Sequence, residues 1–171
     1  MLTKVKKKVQ SWILFEAKLA FKAGLAPNQI SALGILFAVV SGFSYWLAGP
    51  LSPIASLRQT FMVLAPVFLL ISGFCDALDG ALARLYGETT TFGGFLDSLL
   101  DRYADSSIYL GLAVGGLCDT SWGIIALVGS LLVSYARARS EAAGVKMETV
   151  GVAERAERIL MIVFGSFAAL I

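Results

Sequence analysis

The sequence predicts an all-α integral membrane protein, a bundle of transmembrane helices preceded by an amphipathic surface helix at the N-terminus. Two observations predict this class. Of the 171 residues, 57% are hydrophobic and 15% are charged, whereas soluble domains carry about 25% charged residues. A soluble domain of this length needs more polar surface than the composition supplies, and a bilayer accommodates the apolar excess. The apolar residues also form long segments between short polar breaks.

The first segment, residues 2–24, combines lysines with apolar side chains. Spacings of three and four place much of the apolar set on one helical face. That set includes Val9, Trp12, Ile13, Phe15, Leu19 and Phe21. Such a helix is expected to lie along the membrane surface, with packing as a cytosolic helix as the alternative. We therefore predict an amphipathic juxtamembrane helix over residues 1–26 and one transmembrane domain over residues 27–171.

Five apolar segments follow, and each approaches the roughly 20 residues that cross a bilayer. They are residues 28–48, 59–78, 92–115, 121–135 and 150–171. Pro27 breaks the chain before the first of them, and Asn28 is predicted as its N-cap. Because the sequence ends at Ile171 within an apolar run, we expect the transmembrane domain to be incomplete at its C-terminus.

The basic residues predict the orientation. With the N-terminus in the cytoplasm, the inner side collects the N-terminal lysines and most of the arginines, while the outer loops hold only Arg58. This asymmetry follows the positive-inside rule. We therefore predict a multi-pass protein of the cell membrane with a cytoplasmic N-terminus and a cytoplasmic active site.

Residue types exclude some chemistry. The sequence has no His, which excludes His-based acid–base catalysis and His-ligated zinc. Cys75 and Cys118 are isolated and form no metal-ligand pattern. We expect the bilayer as a partner and no nucleic acid.

Four carboxylates gather at the predicted inner ends of the second and third apolar segments. Asp76 and Asp79 are three residues apart, and Asp97 and Asp101 are four apart, so each pair shares a helical face. Asp105 extends the second stripe. The turn between the two segments is short, which predicts antiparallel neighbours with the two pairs facing each other.

A cluster of this kind needs positive charge. An ionised carboxylate in a membrane helix costs about 2.5–3.5 kcal/mol even on the gentler insertion scale, and four also repel one another. Two Mg²⁺ or Mn²⁺ ions would offset the charge, because hard cations take oxygen ligands, and a metal pair suits in-line phosphoryl displacement. The alternatives are a polar network neutralised by Arg84 and Arg102, and an ion pathway through the membrane.

The order of these residues resembles a known signature. The stretch reads Asp76-x2-Asp79-Gly80-x2-Ala83-Arg84-x8-Gly93-x3-Asp97-x3-Asp101. At every fixed position it is similar to the signature of the CDP-alcohol phosphotransferase family, whose members join a CDP-linked alcohol to a second alcohol and release CMP. The resemblance implies that Asp76, Asp79 and Asp97 are metal ligands. It implies that Asp101 both contacts metal and acts as the general base.

The same resemblance implies a donor site. Gly80 and Arg84 resemble the family's nucleotide and pyrophosphate contacts, and an arginine can contact a phosphate bidentately. Asn28, Ser31 and Thr90 resemble further CDP-binding positions, although Ser31 can equally be a helix-start residue. Family members usually have six transmembrane helices and are often homodimers, so a sixth helix and a homodimer are expected.

The acceptor is predicted from arginines elsewhere. Residues 134–139 and 151–158 resemble the subgroup that uses inositol phosphate, the phosphatidylinositol-phosphate and archaetidylinositol-phosphate synthases, with CDP-diacylglycerol or CDP-archaeol as donor. A phosphorylated acceptor needs a cationic pocket, which Arg137 and Arg155 could form. These arginines can instead simply follow the positive-inside rule. Glycerol phosphate is the alternative acceptor. From other classes, a divalent-cation transporter or channel and a non-catalytic membrane scaffold remain alternatives.

Overall fold

The computed structural model describes residues 2–87, 89–145 and 155–170. Within these ranges the chain forms six α-helices and no strand, so the all-α class is confirmed. The helices are α1 (Leu2–Lys22), α2 (Pro27–Ala48), α3 (Arg58–Tyr86), α4 (Thr91–Gly115), α5 (Thr120–Ala142) and α6 (Arg155–Ala168). A short 3-10 helix, Ala55–Leu57, precedes α3.

Three of the described helices, α2, α3 and α5, are long and apolar enough to cross a membrane. The 25 residues of α4 also provide the length, but α4 contains several of the carboxylates. The last predicted crossing lies only partly within the described residues, because residues 150–154 and Ile171 fall outside them. The helical membrane architecture is therefore supported, and the number of crossings stays a prediction.

One predicted boundary was wrong. The first crossing begins at Pro27, and its N-cap is Ala26, not Asn28. Proline is favoured at the first helical position because it has no N–H to leave unpaired there. The helix α3 extends beyond the apolar segment that ends at Leu78, as far as Tyr86, and is closed by Gly87 in the left-handed conformation, with φ of 69°.

The carboxylates of α3 and α4 face each other as predicted, with oxygens of Asp76, Asp97 and Asp101 within 4.8 Å of one another. The backbones of these two helices nevertheless make little direct contact, and α2 packs extensively against both. Glycines bring α2 and α4 together, since a Cβ on Gly111 would overlap the carbonyl oxygen of Gly42. The helix α2 therefore acts as the common support that holds the two carboxylate-bearing helices.

Two apolar clusters hold the helices. One joins Ala17 and Ala20 of α1 to Ile30 of α2 and to Leu82 of α3. The other joins α2, α3, α4 and α6 through Tyr45, Ala65, Leu69, Ile108 and Val163. The Tyr45 hydroxyl is 2.8 Å from the Ser166 hydroxyl oxygen, which links α2 to α6. The described part of α6 therefore packs on the same bundle as the carboxylate-bearing helices.

Candidate functional site

The site is built where α3 ends and α4 begins. The N–H of Gly87 donates to the carbonyl of Ala83, which closes α3. The Thr90 hydroxyl oxygen accepts from the Gly93 N–H at 2.9 Å, which caps α4. Four residues separate α3 from α4 in the sequence. Asp76 and Asp79 on α3 and Asp97 and Asp101 on α4 consequently lie in the same region of the bundle.

Three of these carboxylates converge. Asp76, Asp97 and Asp101 each offer an oxygen, and the three oxygens lie within 4.8 Å of one another. They line a cavity of about 20 Å³ that also includes Asp79. A cavity of roughly 10–15 Å³ on this measure already holds a water-sized occupant. The cavity therefore has room for about one occupant of that size.

Asp79 has a different neighbour. Its Oδ2 accepts a hydrogen bond of 2.5 Å from the Ser31 hydroxyl of α2, and Asp79 is buried. The Ser31 hydroxyl also lies 3.2 Å from the Pro27 carbonyl. Ser31 is therefore more than a helix-start residue, because it connects α2 to the carboxylate region.

An arginine from α6 enters the same cluster. Arg155 Nη1 lies 2.8 Å from Asp76 Oδ1 and 2.5 Å from Asp101 Oδ1. Its Nε lies 3.4 Å from Asp105 Oδ1. One guanidinium thus spans carboxylates of α3 and α4, and it is largely buried, with 16% of its side chain exposed.

Asp105 is the buried end of this network. It is 6% exposed and accepts from the Ser130 hydroxyl of α5 at 2.9 Å and from Arg158 Nη2 at 2.9 Å. Arg102 Nη2 lies 3.3 Å from Asp101 Oδ2. Buried charges are stable only when they are paired and hydrogen-bonded, and Asp105 meets both conditions.

The donor set fits a divalent cation. The region contains the carboxylates of residues 76, 79, 97, 101 and 105 and the guanidinium groups of residues 102, 155 and 158. With all five carboxylates ionised, the three guanidinium groups would leave an excess of two negative charges. All ligand atoms are carboxylate oxygens, which suit Mg²⁺ or Mn²⁺ rather than a thiolate-seeking metal.

A larger cleft of about 510 Å³ adjoins the carboxylates. It is lined by all five residues that the family resemblance assigns to CDP, namely Asn28, Ser31, Gly80, Arg84 and Thr90. Asp79 and Asp97 line both the cleft and the small cavity. A ligand in the cleft would therefore reach the carboxylates directly.

Small side chains keep this cleft open. A Cβ on Gly80 would lie 3.2 Å from Arg84 Nη1, so the guanidinium lies over a glycine that has no side chain. Arg84 itself is exposed. Its position over Gly80 favours a role toward a ligand rather than the predicted alternative of neutralising the acids, whereas Arg102 does contact Asp101.

The two arginines predicted for the acceptor are placed differently. Arg155 lies among the carboxylates, whereas Arg137 is exposed on α5. The predicted pairing of Arg137 with Arg155 receives no support from the contacts of the described residues. Residues 151–154, part of the motif that suggested this pocket, lie outside the described ranges.

Sequence reasoning missed the partners of Asp105. Asp105 had been noted only as an extension of the stripe on α4, and neither Ser130 nor Arg158 was singled out. A signal was present, because Arg155 and Arg158 are three residues apart and share a helical face. The residues that Arg155 and Arg158 contact can be identified only from the packing of α6.

Comparisons with known proteins agree with the geometry. The sequence model of a family described as CDP-alcohol phosphatidyltransferase matches residues 24–171. An archaetidylinositol phosphate synthase from Pyrococcus horikoshii is 39% identical over 166 residues, covering 97% of this chain and 82% of that protein. Another from Methanothermobacter thermautotrophicus is 41% identical over 150 residues, covering 88% of this chain and 70% of that protein.

Solved structures are similar as well. A crystal structure of the Mycobacterium tuberculosis phosphatidylinositol phosphate synthase with CDP-DAG bound has a TM-score of 0.71 and 27% sequence identity, covering 90% of this chain and 74% of that one. A second crystal structure of that enzyme, in complex with manganese and citrate, also has a TM-score of 0.71 and 27% identity, covering 90% of this chain and 71% of that one.

Proposed function

Since this chain belongs to the CDP-alcohol phosphatidyltransferase family, we propose that it transfers the phosphatidyl or archaetidyl group of a CDP-lipid to inositol phosphate and releases CMP. The family resemblance read from the signature is thereby confirmed. The acceptor is supported by the relatives, which are named inositol phosphate synthases of both lipid types. Nothing in the described site favours glycerol phosphate over inositol phosphate.

The observation that carries the proposal is the contact between cleft and carboxylates. The cleft of about 510 Å³ contains the five residues assigned to CDP and shares Asp79 and Asp97 with the carboxylate cavity. A nucleotide bound beside Gly80 and Arg84 would place its pyrophosphate next to the acids. The related enzyme with CDP-DAG bound supports this occupant.

In the proposed reaction, a hydroxyl oxygen of inositol phosphate forms a bond to the phosphorus nearer the lipid. The bond from that phosphorus to the CMP oxygen breaks, and CMP leaves. Asp101 accepts the proton of the attacking hydroxyl as general base. Arg84 holds a phosphate oxygen of the donor, because a guanidinium provides two donors in a plane.

We assign Asp76, Asp79, Asp97 and Asp101 as ligands of divalent metal, Mg²⁺ or Mn²⁺, with two ions as the expected number. The bound metal would supply charge stabilisation for the phosphoryl group in transfer. The related enzyme in complex with manganese supports this assignment. The excess of carboxylates over guanidinium groups in the cluster is the independent support from this chain.

The membrane arrangement completes the proposal. We propose that α1 lies on the bilayer surface, since Trp12, Phe15 and Leu19 are 57%, 65% and 56% exposed, and that residues 27–171 form the transmembrane domain. Five crossings lie in this sequence and a sixth is expected for the family. The N-terminus and the active site face the cytoplasm, and the enzyme acts as a homodimer.

The test is release of CMP from the purified protein in vesicles that contain CDP-diacylglycerol or CDP-archaeol. We expect CMP release with inositol phosphate and Mg²⁺ or Mn²⁺, little with glycerol phosphate or serine, and none after chelation with EDTA. Faster release with glycerol phosphate than with inositol phosphate would identify glycerol phosphate as the acceptor instead. Metal-independent release would remove the metal assignment.

A further inference from the structure

Arg155 occupies a distinctive position in the cluster. It is one side chain that contacts carboxylates of both α3 and α4, through Nη1 at 2.8 Å from Asp76 Oδ1 and 2.5 Å from Asp101 Oδ1. These two residues also belong to the group of three whose oxygens could hold one cation. The guanidinium and a divalent cation are thus directed to the same carboxylates.

The guanidinium and a cation would share these ligands at close range. The cavity of about 20 Å³ is the space left with Arg155 as part of its wall, so a cation in it would lie beside Nη1. Two positive charges that close repel each other in a partly buried site. Cation binding at Asp76 and Asp101 therefore favours movement of Nη1 away from them.

The other end of the same guanidinium has a separate partner. Its Nε lies 3.4 Å from Asp105 Oδ1, and Asp105 is held by Ser130 at 2.9 Å and by Arg158 at 2.9 Å. Because Asp105 is buried and bonded to α5 as well as α6, it can stay in place while Nη1 moves. Asp105 thus provides a pivot for Arg155.

We propose that Arg155 and a divalent cation compete for Asp76 and Asp101, and that Asp105 retains the displaced guanidinium beside the site, ready for the acceptor-phosphate role already predicted for Arg155. This inference rests on the metal-dependent transfer proposed above and adds an order to it. The cation binds first and frees the arginine, and the anionic acceptor then binds the freed arginine. Asp105 is a positioning residue in this scheme, because it acts through Arg155.

Manganese binding without substrate tests the competition, with electron paramagnetic resonance measuring free Mn²⁺. Arg155→Gln removes the competitor, and we expect it to tighten Mn²⁺ binding on the order of tenfold. Arg102→Gln is the matched control, since it removes a cation that contacts Asp101 alone, and its effect should be clearly smaller. Equal tightening in both variants would reduce the effect to general charge and overturn the competition.

A double-mutant cycle tests the pivot. Asp105→Asn leaves Arg155 more dependent on Asp76 and Asp101, so Mn²⁺ binding should weaken by several-fold. In the Arg155→Gln background the same change should have little effect, because the arginine through which it acts is gone. Additive effects in the double variant would overturn the positioning role. If Arg155→Gln unfolds in detergent, Arg155→Met replaces it, because methionine keeps an apolar stem in the same place but removes the charge that competes for Asp76 and Asp101.

Inorganic phosphate serves as the probe for the second step. We expect phosphate to bind the wild-type protein more tightly with Mn²⁺ than without it, and this dependence to vanish in Arg155→Gln. Phosphate binding that is independent of Mn²⁺ would overturn the order. The outcomes separate the two proposals. If the wild type binds Mn²⁺ and substitution of Arg155 does not change the affinity, only the competition is wrong. Absence of Mn²⁺ binding in every variant removes the metal assignment as well.

Discussion

Near Gly42 and Gly111 the backbones of α2 and α4 touch, whereas near Ser31 and Asp97 the same two helices border a cleft of about 510 Å³. The touching end has no room for a methyl group. The open end contains carboxylates. The lack of a side chain at Gly80 also leaves space beneath the Arg84 guanidinium. Glycine therefore serves packing at one end and ligand access at the other.

Stability and chemistry depend on different ends of this pair of helices. Substitutions at the packed end should change the free energy of unfolding and spare the chemistry of folded molecules. Substitutions at the open end should mainly change the chemistry, because the side chains there face a cleft rather than the packed backbone of a neighbouring helix. The following variants can break this separation.

Asp101→Asn should have the largest effect. Without a carboxylate to accept the proton, CMP release is expected to fall about a thousandfold, while the thermal midpoint stays at or above that of wild type. CMP release measures the activity, and thermal unfolding measures the stability. Asp119→Asn is the control, because Asp119 only caps α5 through the Ser121 N–H, and it should retain activity. Turnover in Asp101→Asn close to wild type would remove the base assignment.

Gly111→Ala should have the next largest effect, on stability alone. Its Cβ overlaps the Gly42 carbonyl oxygen, and overpacking of this kind costs about 1–3 kcal/mol. Denaturation in detergent measures the loss, and activity per folded molecule should be unchanged. The matched control is Gly129→Ala, where a Cβ meets nothing within 4 Å. Equal free energies of unfolding for the two variants would contradict the close packing of α2 and α4 at Gly111.

Arg84→Lys should have a smaller effect at the open end. Lysine keeps the charge but lacks the planar fork, so the KM for CDP-lipid is expected to rise about tenfold with kcat nearly unchanged. The kinetics are measured at saturating acceptor. Arg139→Lys changes an exposed arginine of α5 and should leave the KM for CDP-lipid as it was. If both variants behave alike, Arg84 is not a donor contact.

Ser31→Ala should have the smallest effect. It removes the donor of the 2.5 Å bond to Asp79, and since the site is partly open, water can replace some of that bond. We expect CMP release to fall about fivefold. Ser121→Ala at the far end of α5 controls for loss of a hydroxyl. A gain in activity would indicate that Ser31 holds Asp79 away from its ligand role.

Much of the site could be predicted because it depends on local spacing. The intervals between Asp76, Asp79, Asp97 and Asp101 fix which acids share a helical face, and the signature of residues 76–101 identified the family. The helix order followed from the apolar segments. The start of α2 was less accurately predicted, with the N-cap at Asn28 rather than Ala26, because a helix cap leaves a weak signal in an apolar pattern.

The sequence by itself determined the class of fold, the acids and the family, since helical periodicity, apolar content and fixed spacing are properties of the chain alone. Tertiary structure decided that α2 packs against both α3 and α4 and that Arg155 points into the carboxylates rather than toward Arg137. It also decided the partners of Asp105, which come from α5 and α6. Such contacts join residues up to 79 positions apart, as between Asp76 and Arg155, and no periodicity within one helix specifies which face of another helix it will meet.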